Sequence, residues 1–195
     1  MSDTERVQTE FAEAARVASL LASDPQAAAR VARVAAGIAE RAGRGGKILA
    51  VGNGGSCADA VHFCEELTGR YRLDRPPIAA VACSDAGHIT CTGNDYGFDQ
   101  IFARWVEALA GPQDTLVALS TSGNSTNVVL AVEAARRRKA GVVLLLGKDG
   151  GRLREMGDET WIVPGQTADR IQELHMLILH SLVGSIERHL APAAG

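Results

Sequence analysis

Apolar residues recur at three- and four-residue intervals through the N-terminal part of the chain. Val7, Phe11, Ala14, Ala15, Ala18 and Leu21 mark one face of a first helix. Ser23-Asp24-Pro25 reads as a stop and restart, with Pro25 in the first turn of the next helix. A second stripe follows in Ala27, Val31, Val34, Ala35 and Ile38. It closes on Gly43, Gly45 and Gly46, which suit a helix C-cap.

The texture changes at Lys47. Short apolar runs now alternate with helical patterns: 48–51, 78–82, 116–119, 142–146 and 161–163. Most lack a period-two alternation, so they predict strands covered on both faces, the habit of a parallel sheet. The segments between them are long enough for crossover helices. The expected class is therefore α/β, a three-layer doubly wound sheet. A last long helix spans 168–190, with Ile171, Leu174, Leu177, Ile178, Ser181, Leu182 and Ser185 on its apolar or small face. No linker or repeat interrupts the chain, so residues 1–195 read as a single domain, with 1–44 as an N-terminal helical extension.

Composition narrows the function classes. A chain of 195 residues with 46% hydrophobic content, inflated by 32 Ala, can bury a sizeable core. Recurrent apolar residues exclude low-complexity disorder. No apolar stretch reaches about 18 residues, so no membrane span is expected. The acidic N-terminus lacks the apolar core of a secretory signal. A net charge of −3 argues against a nucleic-acid partner. Cys57, Cys64, Cys83 and Cys91 form no C-x-x-C pair and match no zinc-finger spacing, so reduced, mostly buried cytoplasmic thiols are expected. The run Arg136-Arg137-Arg138-Lys139 falls where a helix should end. Cations favour the helix dipole there, and a solvated end is a better account of them than an anion site.

Two loops at predicted strand ends carry the chemistry. Gly52-Asn53-Gly54-Gly55-Ser56 follows the first strand, and Ser120-Thr121-Ser122-Gly123-Asn124-Ser125 follows the third; each leads into a helix. Glycines let backbone N–H groups approach an anion, and the helix N-terminus adds partial positive charge. A single N-cap needs one hydroxyl, whereas the second loop offers four in six residues. With no Lys in either loop, the cradle suits a sugar phosphate better than a nucleoside triphosphate. The first loop fits neither G-x-x-x-x-G-K-[ST] nor G-x-G-x-x-G, since Cys57 stands at the third glycine.

Ionisable residues gather on two predicted helices. His62 and Glu66 share one helix face, where they could bind a metal or move protons. Spacing alone favours an ordinary surface pair. Glu65, about 100° round the helix, reads as a solvated or partnering acid. The last helix carries Asp169, Gln172, His175 and His180. Gln172 and His180 are eight residues apart, a rise of about 12 Å, too far for one ion unless they come from different chains. Packing of His175 or His180 between subunits is the simpler reading of that spacing. Ser84-Asp85 and Gly93-Asn94-Asp95-Tyr96-Gly97 read as turns near the ligand end of the sheet, placed to meet sugar hydroxyls.

Taken together, GNGGS at 52–56, DAVHFCEELTGRY at 59–71, SDAGHITCTGNDYGF at 84–98, STSGNS at 120–125, GKDGG at 147–151 and ADRIQELH at 168–175, with His180 beyond, are similar to the bacterial phosphoheptose isomerases of the sugar-isomerase (SIS) superfamily. STSGNS marks only the superfamily; His62 and Glu66 with Gln172 and His180 mark the isomerase branch. Gly165-Gln166-Thr167 matches no family motif. The resemblance implies a five-stranded flavodoxin-like sheet and a cytoplasmic homotetramer with active sites at subunit interfaces. It implies conversion of sedoheptulose 7-phosphate to D-glycero-D-manno-heptose 7-phosphate, the first step towards ADP-heptose for lipopolysaccharide core. It implies one zinc per subunit held by His62, Glu66, Gln172 and His180. It implies substrate contacts from Asn53, Gly54, Gly55, Ser56, Glu66, Asn94, Asp95, Ser120, Thr121, Ser122, Ser125, Asp169 and Gln172, with Glu66 and His180 catalytic. The competing expectations are a SIS-domain adaptor without catalysis and an isomerase for another phosphosugar. A zinc-bound carboxylate is a poorer base, so the two roles given to Glu66 compete.

Overall fold

A computed structural model describes residues 1–190. Two helices lead: α1 (Asp3–Ala22) and α2 (Ala27–Gly43). The α1 N-terminus is closed by a capping box, in which the Ser2 hydroxyl accepts from the Glu5 N–H and the Glu5 carboxylate accepts from the Ser2 N–H. Asp24 starts the next helix, accepting from the Gln26 N–H through its side chain and from the Ala27 N–H through its carbonyl. Pro25 sits in that tight turn, just ahead of the regular helix. The glycines end α2 as expected: Gly45 takes φ +86°, its N–H bonds the Ala42 carbonyl, and the Gly46 N–H bonds that of Arg41.

Five strands follow, β1 (Ile48–Val51), β2 (Ala80–Ala82), β3 (Thr115–Ser120), β4 (Gly141–Leu146) and β5 (Glu159–Ile162). They pair entirely in parallel in the order β2-β1-β3-β4-β5. This is the flavodoxin-like order, with its switch point beside β1 and β3. The three central strands are buried on both faces, as the unbroken apolar runs require. The edge strands β2 and β5 are not, and Val81 is 40% exposed.

Alternate residues divide two cores. Ile48, Ala50, Val117, Leu119, Val143 and Leu145 face a layer built by α2, α3 (Gly55–Thr68) and α7 (Ala168–Leu190). Leu49, Val51, Leu116, Ala118, Val142 and Leu144 face a layer built by α5 (Ile101–Leu109) and α6 (Thr126–Arg137), with Ile89 of α4 (Ala86–Tyr96) at its margin. The basic run at 136–139 ends α6 as expected, and Arg136 and Arg137 pair with Asp158 and Glu107.

Three expectations are corrected. On α1 only Val17 is buried, while Val7 and Phe11 of the predicted face are 49% and 71% exposed. Periodicity identified an apolar face but not what covers it. On α7 the buried residues are Ile171, Leu174, His175, Ile178 and Leu179, then the whole of 182–187; Leu177 and Ser181 of the predicted face are exposed, and His175 is buried in their stead. Residues 93–96 are not a turn but the last turns of α4. Asp85 caps that helix by accepting from the His88 N–H, and the turn falls at Gly97, φ +87°. Among the described residues, no helix is long and apolar enough to cross a membrane.

Candidate active site

The β1–α3 loop is shaped by contacts that exclude side chains. A Cβ on Gly52 would lie 2.6 Å from the Ser56 carbonyl oxygen, and one on Gly55 would lie 2.6 Å from the Gln172 amide. Gly54 takes φ +54° with open space beside it, so its backbone is accessible. The Asn53 amide pairs with Asn127, at the start of α6, and keeps one N–H and one lone pair unused. Each side chain donates to the other at 2.9 Å, tying the first loop to the second.

The β3–α6 loop folds on itself. The Ser120 hydroxyl accepts from the Gly123 N–H at 3.2 Å and lies 3.2 Å from the Ser125 hydroxyl. Ser125 stands at the N-cap of α6 without capping through its side chain, so helix capping does not account for these hydroxyls. Thr121, Ser122 and Ser125 are half-buried. Gly123 takes φ +66° against the loop after β4, where a Cβ would come within 1.9 Å of the Gly150 oxygen. Both loops stand at the carboxyl end of the sheet, and both open a helix with its N–H groups facing out.

The α3 and α7 residues meet at the side of this end. His62 and Glu66 do share a face, but they are not a surface pair: Glu66 is 7% exposed and His180 of α7 joins them. The His62 and His180 Nε2 atoms are 3.3 Å apart. Glu66 Oε1 lies 3.4 Å from the first and 3.6 Å from the second. Its other oxygen, Oε2, is buried without a hydrogen-bond partner. Two nitrogens and a carboxylate oxygen converging this closely form a candidate site for a metal ion, which would satisfy all three at once. Glu65 is exposed and lies 3.8 Å from His62 Nδ1, so it is both solvated and a partner to that ring.

Gln172 is not part of that cluster. Its amide reaches 3.4 Å to the Ser56 hydroxyl, beside the first loop. An open cleft of about 580 Å³ runs along α7 from Gln172 to His180, lined also by Asp59, Asp169, Glu173 and Met176. Asp169 is exposed at the start of α7, and bonds from Thr167 and Arg170 hold its carboxyl down at about 2. Asn94 and Asp95 are exposed at the end of α4, and the Asn94 amide donates to Asp95 at 2.8 Å.

Residues 11–147 match the SIS domain family. The chain is 51% identical over 149 residues to the phosphoheptose isomerase of Fusobacterium nucleatum, covering 76% of this chain and 77% of that protein. It is 46% identical over 186 residues to that of Escherichia fergusonii, covering 95% and 97%. The chain belongs to the SIS domain family, among its phosphoheptose isomerases. Solved phosphoheptose isomerase structures have the same fold. That from Neisseria gonorrhoeae has a TM-score of 0.87 at 40% identity, and that from Francisella tularensis 0.91 at 35%; each match covers 96% of this chain and 100% of the other.

Membership of this isomerase branch favours an enzyme over an adaptor, and it directs attention to two residues that sequence reasoning left without a role. Asp59 lies one turn before His62. Burial pushes its carboxyl up to about 6, and its Oδ2 has no hydrogen-bond partner. Tyr71 stacks on the His180 imidazole, ring centroids 5.8 Å apart and planes within 8°. Both lie inside the 59–71 motif; the available signal was an acid three residues from His62 and an aromatic closing the motif.

Proposed function

We propose that the chain converts sedoheptulose 7-phosphate to D-glycero-D-manno-heptose 7-phosphate in the cytoplasm, the first step towards ADP-heptose for lipopolysaccharide core. The observation that carries this reading is the meeting of Glu66 with two imidazoles, on a helix opened by the glycine-rich loop after β1, in a chain whose β3–α6 loop is lysine-free and hydroxyl-rich. Relatives at 45–51% identity that bear this name support it.

The reaction moves one proton between adjacent carbons. A base takes a proton from C1 of the ketose, and the electron pair moves through C1 and C2 onto the carbonyl oxygen. The resulting enediol takes the proton back at C2 while the C1 hydroxyl loses its own, leaving the aldehyde. Glu66 is the proposed carbon base and His180 the group that moves protons between the two oxygens; each would contribute on the order of 10²–10⁴ in rate. The orphaned Oε2 of Glu66 supports this division, since one carboxylate oxygen faces the imidazoles while the other is free for a proton.

His62, Glu66 and His180 would hold a zinc ion, one per subunit. Their separations of 3.3, 3.4 and 3.6 Å match the edge of a tetrahedron with bonds of about 2.0–2.1 Å, which is roughly 3.3–3.4 Å. When bound, the ion supplies Lewis-acid polarisation of the substrate oxygens. The fourth ligand in this reading is Gln172, and its place by Ser56, two turns from His180, supports its coming from another subunit. The exposed Val7 and Phe11 face of α1 supports the same homotetramer, with active sites between subunits.

Substrate contacts are proposed on Asn53, Gly54, Gly55, Ser56, Asn94, Asp95, Ser120, Thr121, Ser122, Ser125, Asp169 and Gln172, besides Glu66. The β3–α6 hydroxyls and helix N-terminus would take the phosphate. Its binding energy would align the reacting carbons some distance away. The test is turnover on five-, six- and seven-carbon ketose phosphates, following aldose formation. Fastest conversion of sedoheptulose 7-phosphate is expected. A preference for a shorter sugar would reassign the substrate, and no conversion of any would end the reading.

A further inference from the structure

Glu187 is an acid that the isomerisation scheme leaves unused, yet it is as buried as the core. It lies on α7 seven residues beyond His180, with Gly184 between them on the same face. Its carboxylate accepts three backbone N–H groups from the segment after α3: Tyr71 at 3.1 Å, Arg72 at 3.1 Å and Leu73 at 3.2 Å. Its Oε1 lies 3.3 Å from Nε of Arg75, whose side chain is also wholly buried. The Arg75 guanidinium then donates to the carbonyls of Glu66 and Leu67 at 2.7 Å, and of Gly69 and Pro76 at 3.3 and 3.2 Å.

This pair fastens the 69–76 segment to the end of α3 on one side and to α7 on the other. A buried ion pair is a poor route to stability alone, because desolvation offsets much of the attraction. What it does here is fix a position. The Tyr71 ring is laid across Gly184, where a Cβ would come 3.3 Å from it, and flat against His180. The imidazole is then held between the Tyr71 face and the edge of His62, whose ring is 5.4 Å away at 80°. In that orientation its Nε2 points at Glu66.

We propose that Glu187, acting through Arg75 and Tyr71, is a positioning residue for the isomerisation: it fixes the His180 imidazole in the orientation that faces Glu66. The inference rests on His180 taking part in the reaction, as proposed above.

The experiment compares Tyr71→Phe, Tyr71→Leu, Glu187→Gln and His180→Gln. It reads kcat and KM on sedoheptulose 7-phosphate, thermal midpoints, and the chemical shifts of the His180 ring protons. Tyr71→Phe keeps the stacked ring and should stay within about twofold of the unaltered protein, whereas Tyr71→Leu should lose about tenfold or more in kcat with KM within about threefold. The His180 ring-proton resonances should move in Tyr71→Leu as the aromatic ring current is lost, and stay in place in Tyr71→Phe. Glu187→Gln should repeat the kcat loss and the shift of the His180 resonances, and a folded Glu187→Gln protein with unchanged kcat would overturn the proposal; if that variant does not fold, Glu187→Asp, which keeps the charge but draws it back from the Tyr71 N–H, is read in its place. Unchanged kcat or unmoved His180 resonances in Tyr71→Leu would overturn the proposal. Full activity in His180→Gln would instead remove His180 from the chemistry, and the resonances would still report whether Tyr71 holds its ring.

Discussion

Asn53 and Asn127 exchange two side-chain amide bonds, each 2.9 Å, and so join the loop after β1 to the helix that follows the loop after β3. Asn127 is 2% exposed and Asn53 is half-buried, so the bonded pair is largely shielded from water. The two loops proposed to contact one substrate are thereby held at a fixed separation. Asn127→Ala leaves the Asn53 amide unpaired, at a cost of about 1–3 kcal/mol. KM for the phosphosugar should rise about tenfold, with a smaller change in kcat. Steady-state kinetics on sedoheptulose 7-phosphate checks it, and unchanged KM would mean that each loop holds its shape alone.

The cluster of His62, Glu66 and His180 makes two demands that can be separated. Glu66→Gln keeps the shape of the side chain while removing its basicity, so the variant should fold and lose on the order of 10²–10⁴ in kcat. Substantial retained turnover would remove Glu66 from the base role. Chelation should lower activity and zinc should restore it, with metal analysis of the purified protein giving one ion per subunit. His62→Ala should lose the ion while leaving the thermal midpoint close to that of the metal-free protein.

Gly123 tests the phosphate loop. Alanine there meets two penalties, a left-handed backbone and a Cβ 1.9 Å from the Gly150 oxygen, which is main chain and cannot swing aside. Gly123→Ala should destabilise the protein by about 1–3 kcal/mol and weaken protection by inorganic phosphate against thermal unfolding. Loss of stability with phosphate protection intact would show that the loop is architectural only.

How much of this was legible in the sequence differs by feature, for physical reasons. The central strands were plain because both their faces are buried, so apolar character alone marks them. The residues at 93–96 read as a turn because Gly, Asn and Asp favour turns locally. Tertiary packing overrode that preference, with Thr92 buried and Ile101 packed beside Gly93. His62 and Glu66 were visible as a spaced pair, but their value depends on His180, 118 residues away from His62 in the chain. Glu187 and Arg75 carry no local signal at all. Each is a charged residue of the kind usually found on a surface, and only the long-range contact reveals the pair.

Asp59 should make the protein more stable below neutrality than its other carboxyls allow. Its pKa rises from 3.8 to about 6 through burial, so the folded state holds a proton that the unfolded state has released. That contribution is full below pH 3.8 and is lost as pH rises through about 6. The full shift would be worth roughly 3 kcal/mol, and partial exposure to solvent reduces this to about 1. Asp59→Asn should therefore raise stability by about 1 kcal/mol at pH 7 and leave it unchanged near pH 4. Urea unfolding at the two values measures the difference, and equal effects at both would place the Asp59 carboxyl in an ordinary solvated setting.

His175 acts in the same range with the opposite sign, and the contest between the two groups can be decided. Burial lowers its pKa from 6.5 to about 4; the ring faces the Leu146 carbonyl, but neither nitrogen has a well-aligned partner. Between those values the unfolded chain takes up a proton that the folded chain refuses, so stability is full above pH 6.5 and falls as the pH drops towards 4. The drop corresponds to roughly 3 kcal/mol, and because His175 has no exposure, little of it is screened. It outweighs the gain of about 1 kcal/mol from Asp59, so net stability should decline on acidification from pH 7 to pH 4. Asp114, pushed up by burial but held down overall by bonds from Lys47 and the Gly111 N–H, loses its contribution only below the ordinary carboxylate range and does not confuse that window. His175→Phe fills the same apolar space without a titratable group and should abolish the decline, or reverse it slightly as the Asp59 slope is uncovered. Unfolding midpoints of both proteins at pH 4, 5, 6 and 7 test this, and an undiminished acid slope in the variant would assign the decline to another group.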